Sequence, residues 1–508
     1  MIGRIIDSSY SKRIKDKIYN HRGENVMKVE KMSKVMDQYS NEIAEKYQIP
    51  CIAMGLAKDE ELLWEKGYGY RDIEKELPMT ADTVCGIGSV TKSFTCVAIM
   101  QLQEAGKLSV HDPVVKYLPE FKTRDVKQTE QITIHHFMTH TAGIPPLSTL
   151  MAALKDSLVN DPRPEGGEES AEEAALQKAI PSIKTYEELF AYIAEQKYEL
   201  LGAPGEEFSY SNDCYALLGT IVERVSGQTY EEYVKEHILV PCGMKNSVFH
   251  LTELDGHEDV ATLYNSQKKD GETVVYESNN PWDAPSMRAA GFLKSTVKDM
   301  LKYAEIFSNG GKVGDRQVLA NESVEQMSTP FIECAPGRFY GYGLMITPDF
   351  FGYKLVEHGG AIKGVAAQMN TIPELGLTGM SLTNLGGVPS TKLLFSAFAE
   401  YLGKSVTDSH IIYEEIEESL DALKEYEGVF LSGEGSKTTF HIKDAKLCIS
   451  SGDFDTSELT SIGNDWFTFL FREAETPIGF IRNTEGTVIR VALGFRQIPK
   501  VQSEEESL

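Results

Sequence analysis

The texture of the chain changes near residue 410, and that change limits what it can fold into. Up to there, apolar residues at helical spacing alternate with strand-like runs. Beyond it come short alternating runs, "KTTFHIKDAKLCIS", "DWFTFLF", "PIGFIRN" and "VIRVALGF", punctuated by turn signals such as Asp444-Ala445 and Asn483–Gly486. Short strands at this spacing suggest a small all-β barrel or sandwich. The stretch between, "IIYEEIEESLDALKEYEGVF", reads as an acidic, helix-like connector. The expected layout is an N-terminal extension (1–27), an α+β unit (28–405), a connector (406–425) and a β-barrel-like unit (426–502).

Inside the α+β unit, Met32, Met36, Tyr39, Ile43 and Tyr47 recur at three- and four-residue spacing, as one face of a helix. "CIAMGLAKDEELLWEKGYGYRD" follows as two strands joined by the polar turn Lys58–Glu61. The acid-, Pro- and Gly-rich stretch 155–178 reads as an inserted surface loop.

Composition excludes several function classes. Fifty Lys and Arg against 76 Asp and Glu give a net charge of −26, which repels nucleic acid and anionic membrane surfaces. Seven scattered cysteines form no C-x-x-C pair, which argues against a disulfide framework or a zinc site. His135, His136 and His140 cluster without a carboxylate or cysteine at ligand spacing, so no metal and no cofactor is expected. The first residues lack an apolar core of signal-peptide length and no run reaches membrane-spanning length, so a cytoplasmic location is expected.

The chemistry centres on "CGIGSVTKSF" (85–94). S-x-x-K alone is a weak signal, since it also occurs at Ser9/Lys12, Ser266/Lys269 and Ser295/Lys298. Only Ser89 starts a strongly apolar helix, with Phe94, Val97, Ala98 and Leu102 on its stripe and Gly106 closing it. Residues i and i+3 share a helix face, which sets Lys92 over the turn of Ser89. A buried lysine loses affinity for its proton and is able to accept one from the serine.

A hydroxyl nucleophile also needs a proton relay and an oxyanion site. Tyr-x-Asn occurs as Tyr39-Ser40-Asn41, on the amphipathic helix, and as Tyr210-Ser211-Asn212, in a loop before a helix. The second setting presents polar side chains to a cleft; there Tyr210 shares the proton and Asn212 holds a substrate amide. In "YKLVEHGGAIKG", residues 353–358 read as a strand, and Gly359 and Gly360 allow close backbone approach by a substrate. Such a strand supplies a backbone N–H to the oxyanion, paired with that of Ser89. Glu357 and His358 point to opposite faces of it, so Glu357 does not orient His358.

In this order, the three elements resemble the penicillin-recognising serine hydrolases, and more closely the class C β-lactamase and S12 peptidase branch. "VCGIGSVTKSFT", "FSYSN" and "HGG" match its three motifs. "ITIHHFMTHTAGIP", "AAGFLKSTVKDMLKYAEIF" and "YGYGL" extend the resemblance over residues 28 to 405. It implies an α+β, β-lactamase/transpeptidase-like fold with an antiparallel sheet flanked by helices and an all-helical part. The β-rich end resembles the lipocalin-like domain of some S12 members. By resemblance, Ser89 attacks an acyl carbon, Lys92 and Tyr210 shuttle the proton, and the oxyanion lies between the N–H groups of Ser89 and Ala361. Asn212, His358, Gly359 and Gly360 line the substrate.

His358 is a departure, because the third motif usually carries a lysine that helps hold a substrate carboxylate. Lys363 reads as a solvated turn lysine rather than a replacement. Members with histidine here include D-aminopeptidases and esterases, so the implied substrates are short peptides, above all those with D-residues. A carboxylesterase, a weak β-lactamase and a slow-turnover penicillin-binding sensor are the rival readings, and a homo-oligomer stays open.

Overall fold

The computed structural model describes residues 8–163, 180–269, 272–452 and 454–501. Most of the acidic stretch expected as a surface loop, residues 164–179, thus lies outside the described residues; its first part closes a helix, Thr149–Val159.

The first helix, α1, runs Ser8–Tyr47 and so begins well inside the expected extension. Polarity alone does not stop a helix, since Lys, Arg and Glu are good helix formers. From Met32 onward it carries the expected buried face, with Met32, Met36 and Ile43 almost fully enclosed. Strands β1 (Cys51–Lys58) and β2 (Glu61–Asp72) follow, joined through Asp59 and Glu60, both at positive φ (49° and 69°) as a tight two-residue hairpin turn requires.

These strands belong to a nine-stranded antiparallel sheet. Its other members are β3 (Leu77–Pro78), β4 (Ile332–Ala335), β5 (Arg338–Tyr340), β6 (Met345–Phe350), β7 (Tyr353–Ile362), β8 (Val365–Ile372) and β9 (Leu377–Thr383). The spatial order is β4-β5-β6-β7-β8-β9-β1-β2-β3. Both faces of the central strands are covered, and β1 shows how. Cys51, Ala53 and Ala57 enter one core with α2 (Thr91–Glu104), α3 (Asn212–Ser226) and α4 (Val297–Ser308). Ile52, Met54 and Leu56 point to the other, under α1 and α5 (Ser390–Tyr401). Alternate residues of a strand face opposite sides, so an unbroken apolar run is the mark of a strand buried twice. This is the expected helix-flanked antiparallel fold.

The connector corrects an expectation. Only Leu420–Lys424 is helical; residues 411–419 form neither helix nor strand. Glu414, Glu415, Glu417 and Glu418 crowd that segment, and like charges at helical spacing oppose winding. Ser419 then caps the short helix, accepting from the Ala422 N–H at 3.2 Å.

The C-terminal part is all antiparallel strand. One sheet holds β10 (Gly428–Leu431), β11 (Lys437–Lys443), β12 (Lys446–Ser451) and β13 (Phe454–Glu458). The second holds β14 (Thr460–Gly463), β15 (Trp466–Phe471), β16 (Ala474–Arg482), β17 (Val488–Leu493) and β18 (Arg496–Pro499). A bridge between Phe430 and Lys500 ties the first strand to the end of the last, and both sheets share a core of Phe430, Phe440, Phe467 and Phe480.

The β17–β18 turn docks this part onto the first. Gly494 and Phe495 both take left-handed φ (56° and 67°), and the Phe495 carbonyl accepts the Tyr210 N–H at 2.8 Å. The Gln497 N–H donates to Ser209 Oγ at 3.2 Å, and Arg490 Nη1 donates to the Leu201 carbonyl at 2.8 Å.

Candidate active site

Ser89 lies in a single 3₁₀ turn, Gly88–Val90, immediately before α2, rather than in the α-helix itself. In such a turn residues three apart eclipse one another, and Lys92 Nζ comes to 3.2 Å from Ser89 Oγ. Ten consecutive residues, Thr91–Met100, are buried, so α2 is enclosed on all sides rather than along the expected stripe. Lys92 is itself fully buried.

Its Nζ lies 2.8 Å from Asn212 Oδ1 and 2.6 Å from the Ala290 carbonyl. Burial pulls the ammonium far below the ordinary lysine range, with the Arg496 cation adding to the effect. A neutral amine has two hydrogens, matched here by two carbonyl acceptors, which leaves its lone pair for the Ser89 hydroxyl. The geometry thus fits a resident base.

Tyr210 and Asn212 reach the same place from the segment before α3. Ser211 caps that helix, its Oγ accepting from the Cys214 N–H at 3.2 Å. The Ser211 N–H in turn donates to His140 Nδ1 at 3.0 Å, which pins the loop. The His140 ring also packs against Tyr210, tilted, with ring centres 4.2 Å apart, so it supports the loop. The neighbouring histidines are likewise engaged, His135 with the Tyr342 hydroxyl at 2.8 Å and His136 with the Thr133 N–H at 3.1 Å. The Tyr210 hydroxyl has no hydrogen-bond partner among the described residues. Burial pushes its pKa up, against the nearby Arg496 cation, which favours the phenolate.

The third element is the expected strand, and it runs on past residue 358: His358, Gly359 and Gly360 all lie inside β7. A Cβ on Gly360 would stand 2.0 Å from the Ile87 carbonyl oxygen, so this glycine admits the chain's own backbone. Gly88 (φ +52°) matches it from the other side, where a Cβ would lie 2.5 Å from the Ala361 nitrogen. Two glycines thus let the Ser89 turn press onto the strand and bring the Ser89 and Ala361 backbones together. Strand β6 pairs with β7 only as far as Glu357, which leaves residues 358–362 as an edge on that side.

His358 is buried, with Nδ1 2.6 Å from its neighbour Gly359's carbonyl and Nε2 3.0 Å from the Tyr340 hydroxyl. Nδ1 is therefore the protonated nitrogen. Burial, with Lys92 nearby, lowers its pKa to about 3, so it carries no charge at neutral pH. Glu357 is engaged elsewhere, by Arg338 and Gln368. Lys363 is not solvated as expected: its Nζ lies 2.5 Å from Asp161 Oδ2 and 5.6 Å over the Trp282 ring, with the side chain 4% exposed.

Ser89, Tyr210, Asn212, His358, Gly359, Gly360 and Ala361 all line one cavity of about 480 Å³, with Lys92 beneath its floor. Sequence reasoning missed the rest of the wall. Arg338 comes from β5, Trp282 from the segment before Ala290, Arg472 and Phe495 from turns of the C-terminal part, and Arg496 from the start of β18. Asp213, next to Asn212, is fully enclosed and takes a hydrogen bond from Thr149 Oγ1; burial raises its pKa to about 7. Among the described residues no group of histidine, cysteine, aspartate and glutamate is arranged to hold a metal ion.

Comparisons with known proteins bear on the family and the fold. A family model described as Beta-lactamase matches residues 32–395. Protein flp of Staphylococcus aureus (strain MW2) is 33% identical over 260 residues, 50% of this chain and 45% of that protein. The mitochondrial serine beta-lactamase-like protein LACTB of Mus musculus is 29% identical over 311 residues, 52% of this chain and 55% of that one. The matches thus span about half the length of these curated relatives. Among solved structures, the octameric penicillin-binding protein homologue of Pyrococcus abyssi is 31% identical and superimposes with a TM-score of 0.64, covering 92% of this chain and 99% of that one. The D-amino acid amidase of Ochrobactrum anthropi SV3, at 20% identity and TM-score 0.57 over 73% of this chain and 99% of that one, shares the fold. The family match covers most of the chain and contains Ser89, Lys92, Tyr210 and His358, and the chain belongs to the Beta-lactamase family.

Proposed function

We propose that this protein hydrolyses amide bonds of short peptides, particularly those containing D-residues, through an acyl-enzyme on Ser89. The observation that carries the reading is the enclosed Lys92 amine, 3.2 Å from a serine hydroxyl that faces a cavity. As Ser89 Oγ bonds to the substrate's carbonyl carbon, its proton passes to Lys92 Nζ. The carbonyl oxygen takes the negative charge between the Ser89 and Ala361 N–H groups. The C–N bond then breaks, and the leaving amine takes a proton relayed through Tyr210. Water attacks the ester by the reverse relay and frees Ser89. Positioned proton transfer of this kind contributes about 10²–10⁴-fold, and the oxyanion donors about 10²–10³-fold each.

The preference for D-residue peptides draws on the histidine in the third motif, and the fold shared with a D-amino acid amidase is compatible with it. The octameric assembly named for the Pyrococcus abyssi relative supports reading this chain as a homo-oligomer, which light scattering tests. Among the described residues no helix is long and apolar enough to cross a membrane.

The deciding experiment is a turnover screen over D- and L-aminoacyl amides, short peptides, p-nitrophenyl esters and nitrocefin, with Ser89→Ala as control. Hydrolysis of D-residue amide bonds that vanishes in Ser89→Ala is the expected result. Activity confined to esters, confined to nitrocefin, or retained in Ser89→Ala contradicts the reading.

A further inference from the structure

The charge of the cavity is at odds with that of the chain. The protein carries −26 overall, yet the charged side chains lining the cavity are three guanidinium groups, Arg338, Arg472 and Arg496, and one carboxylate, Glu357. Arg338 and Glu357 pair with each other. His358 stands where the family resemblance places a cation, and its buried imidazole spends both ring nitrogens on Gly359 and Tyr340. The strand that would bring positive charge to the substrate brings none.

Arg496 brings it from the other end of the chain. It follows the Gly494-Phe495 turn that is bonded to Tyr210, and its guanidinium carbon lies 5.2 Å from the centre of the Tyr210 ring. Lys92 Nζ lies 4.8 Å from the same centre, so one aromatic ring links the base to the arginine. Glu434 aims the guanidinium, with Nε 2.5 Å from Oε2 and Nη2 3.4 Å from Oε1, and Nη1 is 3.2 Å from the Gly494 carbonyl. A guanidinium has five N–H donors in a rigid fork, and these three contacts leave two. The side chain keeps 27% of its surface open, and Arg496 lines the cavity whereas Glu434 does not. An arginine aimed from behind, with donors left over and a face open to the cavity, is built to take a carboxylate.

We propose that Arg496 holds a carboxylate of the substrate next to the scissile bond, so that the C-terminal β part supplies the cation that the third motif lacks. The proposal rests on the acyl-enzyme reading and narrows its substrates to peptides with a free C-terminal carboxylate. Arg496 is then a specificity-determining residue that discriminates an acid from the matching amide.

The test separates binding from turnover. Full-length Ser89→Ala protein is titrated calorimetrically with D-alanyl-D-leucine and with its C-terminal amide. The acid is expected to bind about 10–100-fold more tightly, the range for a hydrogen bond to a charged group. In Ser89→Ala/Arg496→Gln the acid-to-amide ratio is expected to fall to near one, and in Ser89→Ala/Arg496→Lys to recover in part. A merely structural role for Arg496 would weaken both ligands together and leave the ratio unchanged, which overturns the proposal. Equal affinities in Ser89→Ala, or no measurable binding of the acid, overturn it as well. An intact preference for the acid in a wild-type protein that fails to hydrolyse it refutes the acyl-enzyme reading alone.

Discussion

Gly360→Ala tests how the oxyanion site is assembled. The new Cβ would stand 2.0 Å from the Ile87 carbonyl oxygen, and that neighbour is backbone, which cannot swing aside. Reaching even 3.0 Å, the least separation real Cβ atoms show, requires the Ser89 turn and β7 to part by about 1 Å. The backbone of Gly360 is not in the left-handed region, so alanine is conformationally acceptable there and the contact alone is perturbed. Ile87 lies two residues before Ser89, and Gly360 adjoins Ala361, so the movement separates the two N–H groups proposed to hold the oxyanion. A displacement of about 1 Å costs about 10²-fold, and outright loss of one donor about 10²–10³-fold, or roughly 3–4 kcal/mol. The expected result is a fall of that size in kcat on any substrate the wild type turns over, with KM less affected. Gly359→Ala is the comparison: its Cβ would meet Gln368 Oε1 at 3.1 Å, the end of a side chain that can move, and the loss should be smaller. If Gly360→Ala keeps kcat within about threefold of wild type, against the cost of a 1 Å displacement, the glycine contact does not set the oxyanion geometry.

Three further outcomes are expected. Lys92→Met should lower kcat about 10²–10⁴-fold. The wild type's stability should also rise with pH between the lowered folded pKa of Lys92 and its unfolded value of 10.5, where the unfolded chain binds the extra proton, while the variant lacks this rise in melting temperature. Asp213 has a folded pKa raised from 3.8 to about 7, so its stabilising contribution is full below 3.8 and lost as pH rises through 7. Asp213→Asn should flatten melting temperature against pH over that window, and an unchanged slope would contradict the assignment. All seven cysteines are buried and free, so a thiol reagent should label them only after denaturation, and reductant should not shift the melting temperature.

What was legible in the sequence was local. Ser89 and Lys92 are three residues apart, and the pattern of one turn carries their contact. Tyr210 and Asn212 were legible because Ser211 between them caps a helix whose apolar face is plain. The β1–β2 hairpin was legible because four polar residues interrupt two strand-like runs. What escaped depends on docking between distant segments. Arg496 is 286 positions from Tyr210 and reads as one more strand residue until the Gly494-Phe495 turn sits on the Tyr210 backbone. Gly360 read as room for a substrate because the Ile87 backbone that fills that room comes from elsewhere. Lys363 read as solvated because its partner Asp161 is 202 positions away. The connector misled for a different reason: it read as helix-like along its length, while the glutamates Glu414, Glu415, Glu417 and Glu418 that oppose winding were read only as acidity.

The central claim is that Ser89 becomes acylated. Its most direct test is rapid mixing with p-nitrophenyl acetate, an acid quench, and mass spectrometry of the intact chain and its peptides. The account predicts one acetyl group, located on Ser89, formed in step with the first burst of p-nitrophenol and absent from Ser89→Ala. A burst with no adduct on Ser89, or an adduct on Ser209, Ser211 or Lys92 that persists in Ser89→Ala, would contradict it.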